Sequence, residues 1–142
     1  MPERSMTPQE FKEHMAERHV ATLVTLGPEG EPHAVPMWYD YRRGRLYMVT
    51  SANSAKVRHV SRDPRVALCV AADGPPARYA MLEGRATVSR DDVERRTEEL
   101  YVRYEGPERG RADARRALEA AEMVVLVVEI TRTVTWVSGL ES

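Results

Sequence analysis

The residues best suited to chemistry in this chain sit together in MVTSANSAKVRHVSRD, residues 48–63. An apolar strand over 46–49 hands over to Thr50, Ser51, Asn53 and Ser54, and Ala55-Lys56-Val57 then reads as the first turn of a short helix. Ser54 is placed to cap that helix, its hydroxyl accepting from a first-turn amide. The start of a helix carries partial positive charge, so a cation such as Lys56 is out of place there unless an anion sits beside it. Arg58, His59, Arg62 and Arg65 follow, opposed only by Asp63. A solvated basic helix is the commoner fate of such a run. The strand, the hydroxyls and the cap position favour a phosphate-class anion site.

Other chemistry is thin. The sequence holds no GxSxG elbow, no HExxH and no phosphate-binding Gly-Lys-Ser/Thr loop. His14, His19, His33 and His59 show no recognised ligand spacing, so structural roles are expected and no metal site. Cys69 is alone, which excludes an intramolecular disulfide and a cysteine metal site and suits a reducing cytoplasm. It is expected to be inert core. Asp91 and Asp92 read as capping residues. What remains is a binding architecture: an anion seat at Thr50, Ser51, Ser54 and Lys56, and an apolar, aromatic neighbour in Val35-Pro36-Met37-Trp38-Tyr39. Pro36 breaks strand pairing and frees backbone groups to meet a heterocycle. Trp38 and Tyr39 also suit a plain core role. A flat, phosphorylated redox cofactor would fit both halves, and it would carry the hard chemistry itself.

The elements that must position these groups follow from the pattern. Thr7 and Glu10 form a capping box with Pro8 at the first helical position, and Phe11 and Met15 share one face of that helix. Strands are expected over 20–26, 31–41 and 45–50, joined by turns at 27–30 and 42–44 into an antiparallel meander. After the short helix, strands are expected over 65–72 and 78–88, with Gly84 at a bulge. Val66, Leu68 and Val70 alternate with Ala67, Cys69 and Ala71, so both faces read as buried. Ser89 is placed to cap a helix over 91–104, a loop covers 106–110, and an alanine-rich helix spans 112–121. Two strands, 123–131 and 133–137, close the chain. The fold class is mainly β with peripheral helices, a small barrel in one domain over 1–142, part of its outside covered by a second copy.

Bulk properties agree. The chain has 142 residues, a net charge of −1 and 42% hydrophobic residues. Nothing here attracts nucleic acid globally, no apolar run is long enough to span a bilayer, and the first ten residues lack a signal core. A cytoplasmic protein is expected. Lys12 and Lys56 are the only lysines among 21 cationic residues, the rest being arginine.

Three segments in order, GPEGEPHAVPMWYDY, RLYMVTSANSAKVRHVSRDPRVALCV and RYAMLEGRATV, make the chain resemble the pyridoxamine-phosphate-oxidase-like split-barrel flavoproteins, and within them the F420-dependent branch. The resemblance spans about residues 11–136. It implies a split antiparallel β-barrel homodimer of the FMN-binding type, with two cofactor sites at the interface. By it, Thr50, Ser51, Ser54, Lys56 and Val57 would hold a cofactor phosphate, and Pro36, Met37, Trp38, Met48 and Val49 would line the ring. Arg78, Tyr79, Ala80 and Trp136 would close the site from the other subunit. The cofactor it implies is F420, with FMN as the alternative. The activity is hydride transfer to an unsaturated small molecule, with an FMN oxidase or reductase, or a non-catalytic flavin, F420 or haem binder, as competing readings. Arg58, His59 and Arg62 would meet the acidic tail of F420. Tyr39, Tyr41, His33 or solvent would supply a proton.

Overall fold

The computed structural model describes residues 3–138, so the ends of the expected domain, 1–2 and 139–142, lie outside the described residues. The order is α1 (Pro8–Ala16), β1 (Ala21–Leu26), β2 (Pro32–Met37), β3 (Asp40–Arg42), β4 (Arg45–Ser51), α2 (Ala55–Arg62), β5 (Arg65–Ala71), β6 (Arg78–Ser89), α3 (Val93–Glu105), α4 (Pro107–Ala120) and β7 (Met123–Val137). One seven-stranded antiparallel sheet runs β2-β1-β5-β6-β7-β4-β3. Its two edges, β2 and β3, are consecutive in the chain and separated only by Trp38 and Tyr39. Three Cα steps reach about 10 Å at most, so the sheet has to curl until its edges nearly meet. No ladder joins β2 to β3, which leaves the barrel split there. Leu23, Leu46, Met48, Leu68, Val70, Leu82, Leu126 and Val128 fill its interior.

Helices lie outside. Val125 is fully buried on the outer face of β7, and α3 packs across β4 and β7 there. Arg96 of α3 lies over the Tyr47 ring at 3.7 Å. α1 carries the expected capping box, with Glu10 N donating to Thr7 Oγ1 and Thr7 N to Glu10 Oε1.

Several expectations fail for identifiable reasons. The second expected strand is two, because the chain crosses the barrel split at Trp38–Tyr39. The meander is therefore two hairpins, β1–β2 and β3–β4, at opposite edges. No loop covers 106–110: Gly106 alone, at φ +88°, joins α3 to α4, and Pro107 starts the next helix. Gly110 instead lies where the two helices cross, a Cβ there falling 2.6 Å from Val102 Cα. β7 is one strand through 131–133, with a bulge that leaves Thr131 unpaired opposite Glu83 and Gly84. Ser89 does not cap α3. Its hydroxyl accepts from Asp91 N, and Asp92 holds the cap position in left-handed conformation. The outer face of β5 is only half covered, Ala67 and Cys69 being intermediate and Ala71 exposed. Cys69 is thus not in the barrel core.

Candidate functional site

Strand alternation sorts β4. Leu46, Met48 and Thr50 point into the barrel, and Val49 and Ser51 point out. At the barrel end, Thr50 Oγ1 accepts from Lys56 Nζ at 3.1 Å and donates to Ser54 Oγ at 3.4 Å. Ser54 occupies the N-cap position of α2 but makes no side-chain cap bond, which corrects the expected role of its hydroxyl. Its oxygen turns towards Thr50 instead, and the first-turn amides keep no side-chain partner. Ser51 Oγ accepts from Asn53 N at 3.3 Å, and Arg58 donates to the Asn53 carbonyl at 2.6 Å, which fixes the loop shape.

Lys56 is half-buried and has no carboxylate partner among the described residues. Burial alone lowers its pKa, with no acid nearby to raise it. A desolvated ammonium at the positive end of a helix is an unfavourable arrangement in isolation. Two hydroxyls, uncapped amides and this ammonium together fit an anion such as a phosphate.

Beyond Val49 the outer surface dips into a depression of about 310 Å³, lined by Val20, Pro36, Met37, Trp38, Val49, Leu100 and Tyr101. Trp38, in the β2–β3 link, is wedged by α3: its ring stacks on Tyr104 at 4.9 Å and meets the Tyr101 edge at 5.3 Å. That wall is largely apolar and carries aromatic side chains, which suits a planar ring. Sequence reasoning missed Tyr101, Leu100 and Val20 here.

Arg78, Tyr79 and Trp136 form a second depression that shares no lining residue with the first. Tyr79 stacks on Trp136 at 5.5 Å, Trp136 Nε1 donates to Glu3, and Arg78 donates to Glu17 Oε1 at 3.1 Å. The side chains of Met48, Val57 and Ala80 are in the barrel core, so these three can face a ligand only through backbone atoms. The basic run is partly spent within the protein: Arg62 donates to the Leu26 carbonyl and His59 Nδ1 pairs with Thr25 Oγ1.

Tyr39 is not available as a proton donor. It is fully buried, burial drives its pKa far above the ordinary phenol value, and its hydroxyl bonds the Met15 and Glu17 carbonyls at 3.0 and 3.2 Å. Tyr39→Phe should cost about 1–3 kcal/mol of stability, as buried carbonyls lose their donor. Chemical denaturation measures that loss, while the pH profile of any turnover stays unchanged. Tyr41 packs its ring edge-on against Phe11 at 5.9 Å, away from the depression, and His33 lies beside His59 at 5.2 Å.

Residues 7–136 match the family described as pyridoxamine 5'-phosphate oxidase. The chain belongs to that family. Among its relatives is an F420H(2)-dependent biliverdin reductase of Mycobacterium tuberculosis, 34% identical over 122 residues, which cover 83% of this chain and 80% of the relative. The crystal structure of a conserved hypothetical protein of Mycobacterium tuberculosis, Rv2991, superposes with a TM-score of 0.79 at 27% identity over 93% of this chain and 85% of that one. An F420 reductase superposes with a TM-score of 0.72 at 23% identity, covering 89% and 98%, and so shares the fold. The split barrel of the pyridoxamine 5'-phosphate oxidase family is thus the scaffold on which both depressions lie. No helix of the described residues is long and apolar enough to cross a membrane.

Proposed function

We propose that the chain is an F420-dependent oxidoreductase that moves a hydride between the deazaflavin and an unsaturated small molecule. The observation that carries this reading is Lys56, a half-buried ammonium without an acidic partner, set between Thr50 and the uncapped start of α2. The relative named as an F420H(2)-dependent reductase supports the choice of deazaflavin. F420, when bound, would supply the hydride.

The protein's own part is position and environment. Thr50, Ser51, Ser54 and Lys56 would hold the phosphate. Pro36, Met37, Trp38 and Val49 would back the ring, with Tyr101 at its rim. Holding a substrate over that ring converts an encounter into a near-attack geometry and excludes water. Arg58, exposed beside the seat, is available to an acidic tail.

A homodimer belongs to the same proposal. Val20, Met81 and Val134 are 51%, 50% and 46% exposed, and Met81 and Val134 stand in register with Cys69 on the barrel's outer face. A second copy covering that face would bring its Arg78, Tyr79 and Trp136 to complete the site.

Parallel fluorescence titrations of the cofactor-free protein with F420 and with FMN test the reading. F420 is expected to bind at least tenfold tighter. Tighter FMN binding would replace the reading with an FMN oxidase or reductase. F420 binding without oxidation of the reduced cofactor by any of a panel of unsaturated substrates would mean a carrier.

A further inference from the structure

A group of side chains outside both depressions is arranged around a common point. His14 lies in the last turn of α1, Glu17 follows that helix as its C-cap, and His19 lies in the link to β1. One ligand atom from each lies within 4.8 Å of the others. The sequence spacing, His-x2-Glu-x-His, crosses a helix end, changing from i,i+3 to i,i+2, so no single period carried it.

His14 decides the chemistry. It is 2% exposed, and its Nε2 lies 2.8 Å from the Val70 carbonyl oxygen. A carbonyl only accepts, so Nε2 carries the proton and the lone pair belongs to Nδ1 in the neutral ring. Nδ1 is buried without a hydrogen-bond partner among the described residues, and it faces Glu17 Oε1 at 4.0 Å. A buried lone pair aimed at a carboxylate is unfavourable unless a cation lies between them. His19 Nε2 donates to the same carboxylate at 2.8 Å, so it takes up an ion in the tautomer whose proton sits on Nδ1.

We infer that His14 Nδ1, Glu17 and His19 Nε2 form a binding site for a divalent transition-metal ion of the zinc class. Two imidazoles and one carboxylate suit zinc, and water completes four-coordination. The Val70 carbonyl is the outer-shell acceptor that ligating histidines ordinarily have. Ligand atoms around zinc stand about 3.3 Å apart, so the Glu17 carboxylate, 4.0 Å from His14 Nδ1 and 2.8 Å from His19 Nε2, moves towards the first and away from the second while His14 stays fixed. Arg78, which bonds Glu17 Oε1, can keep that oxygen while Oε2 turns to the ion. The ion would tie the end of α1 to the link before β1. That link is also held by Tyr104, whose hydroxyl donates to the His19 carbonyl at 2.7 Å and whose ring stacks on Trp38.

The test uses the full chain without an affinity tag. Calorimetric titration with zinc chloride should give one ion per chain and a zinc-dependent rise in Tm. Glu17→Gln and His19→Ala should each weaken zinc at least tenfold and abolish that rise. His59→Gln, which removes one of the two facing imidazoles elsewhere, should leave the zinc affinity and the zinc-dependent rise in Tm unchanged. Cobalt(II) on the wild-type chain should give d–d absorption and two paramagnetically shifted imidazole N–H signals. The site is refuted if zinc does not bind, if binding survives both substitutions, if His59→Gln removes it, or if cobalt shifts no imidazole.

Discussion

Lys56→Ala should lower affinity for the phosphate-bearing cofactor by about 10- to 100-fold, since a hydrogen bond to a charged group contributes roughly 1.5–3 kcal/mol. Lys56→Met separates this effect from damage to the fold. The ammonium is half-buried, bonded among the described residues only to Thr50 Oγ1, and desolvated there without an acid to offset it. A methionine of similar length keeps the packing and removes the charge, so the cofactor-free variant should melt above the wild type while binding worse. That opposition of stability and binding is expected where a strained group is kept for its ligand. The pH dependence follows. Burial lowers the folded-state pKa of Lys56 below its ordinary 10.5. Between those two values the unfolded chain binds more protons, so stability rises with pH across that window. Anion binding needs the charged form and should fall through the same window. Titrations of wild type and both variants, with thermal melts alongside, measure all of this. Unchanged cofactor affinity in Lys56→Ala would remove the anion seat from the account.

What could be read from the sequence was mostly what is decided locally. Thr7 and Glu10 cap α1 because both partners lie within one turn. The apolar alternation of β5 was visible for the same reason, whereas the break expected at Pro36 falls two residues later, at Trp38–Tyr39, and Pro36 itself stays in register with Thr22 of β1. Pairing was not, because it depends on residues far along the chain: β4 lies beside β7, not beside β2. Ser54 has the right type and backbone for a cap, yet Thr50, brought close by the β4–α2 turn, takes its hydroxyl. Gly106 and Gly110 flank a proline, which reads as a loop. Only Gly106 needs a positive φ, and Gly110 is small for a helix crossing that no local rule announces. The candidate site divides in the same way. The contact of Thr50, Ser54 and Lys56 is nearly contiguous in sequence and legible there, whereas Tyr101 reaches the depression only through the packing of α3 on β4.

Gly84→Ala should be among the most destabilising single-methyl additions in the barrel, costing about 3 kcal/mol as overpacking against atoms that cannot move aside. For a chain of this length that corresponds to a fall in Tm of about 6–12 °C. A Cβ at position 84 would lie 2.5 Å from the Glu129 carbonyl oxygen and 2.9 Å from Val128 Cγ1. Glu129 cannot retreat, because its backbone is in register with Arg45 of β4 on one side and Arg85 of β6 on the other. Gly30→Ala is the control. Gly30 has φ +82° and open space around it, so alanine there meets only backbone strain of about 1–2 kcal/mol. One way for Gly84→Ala to keep wild-type stability is a shift of the β6–β7 pairing at the Thr131 bulge. A one-residue shift turns every later side chain of β7 to the opposite face. Trp136 would then leave its stack on Tyr79, and its fluorescence would change although the melt did not. Urea melts followed by tryptophan emission therefore distinguish a strained barrel from a slipped one. Wild-type behaviour in both readouts would contradict the close approach at Gly84.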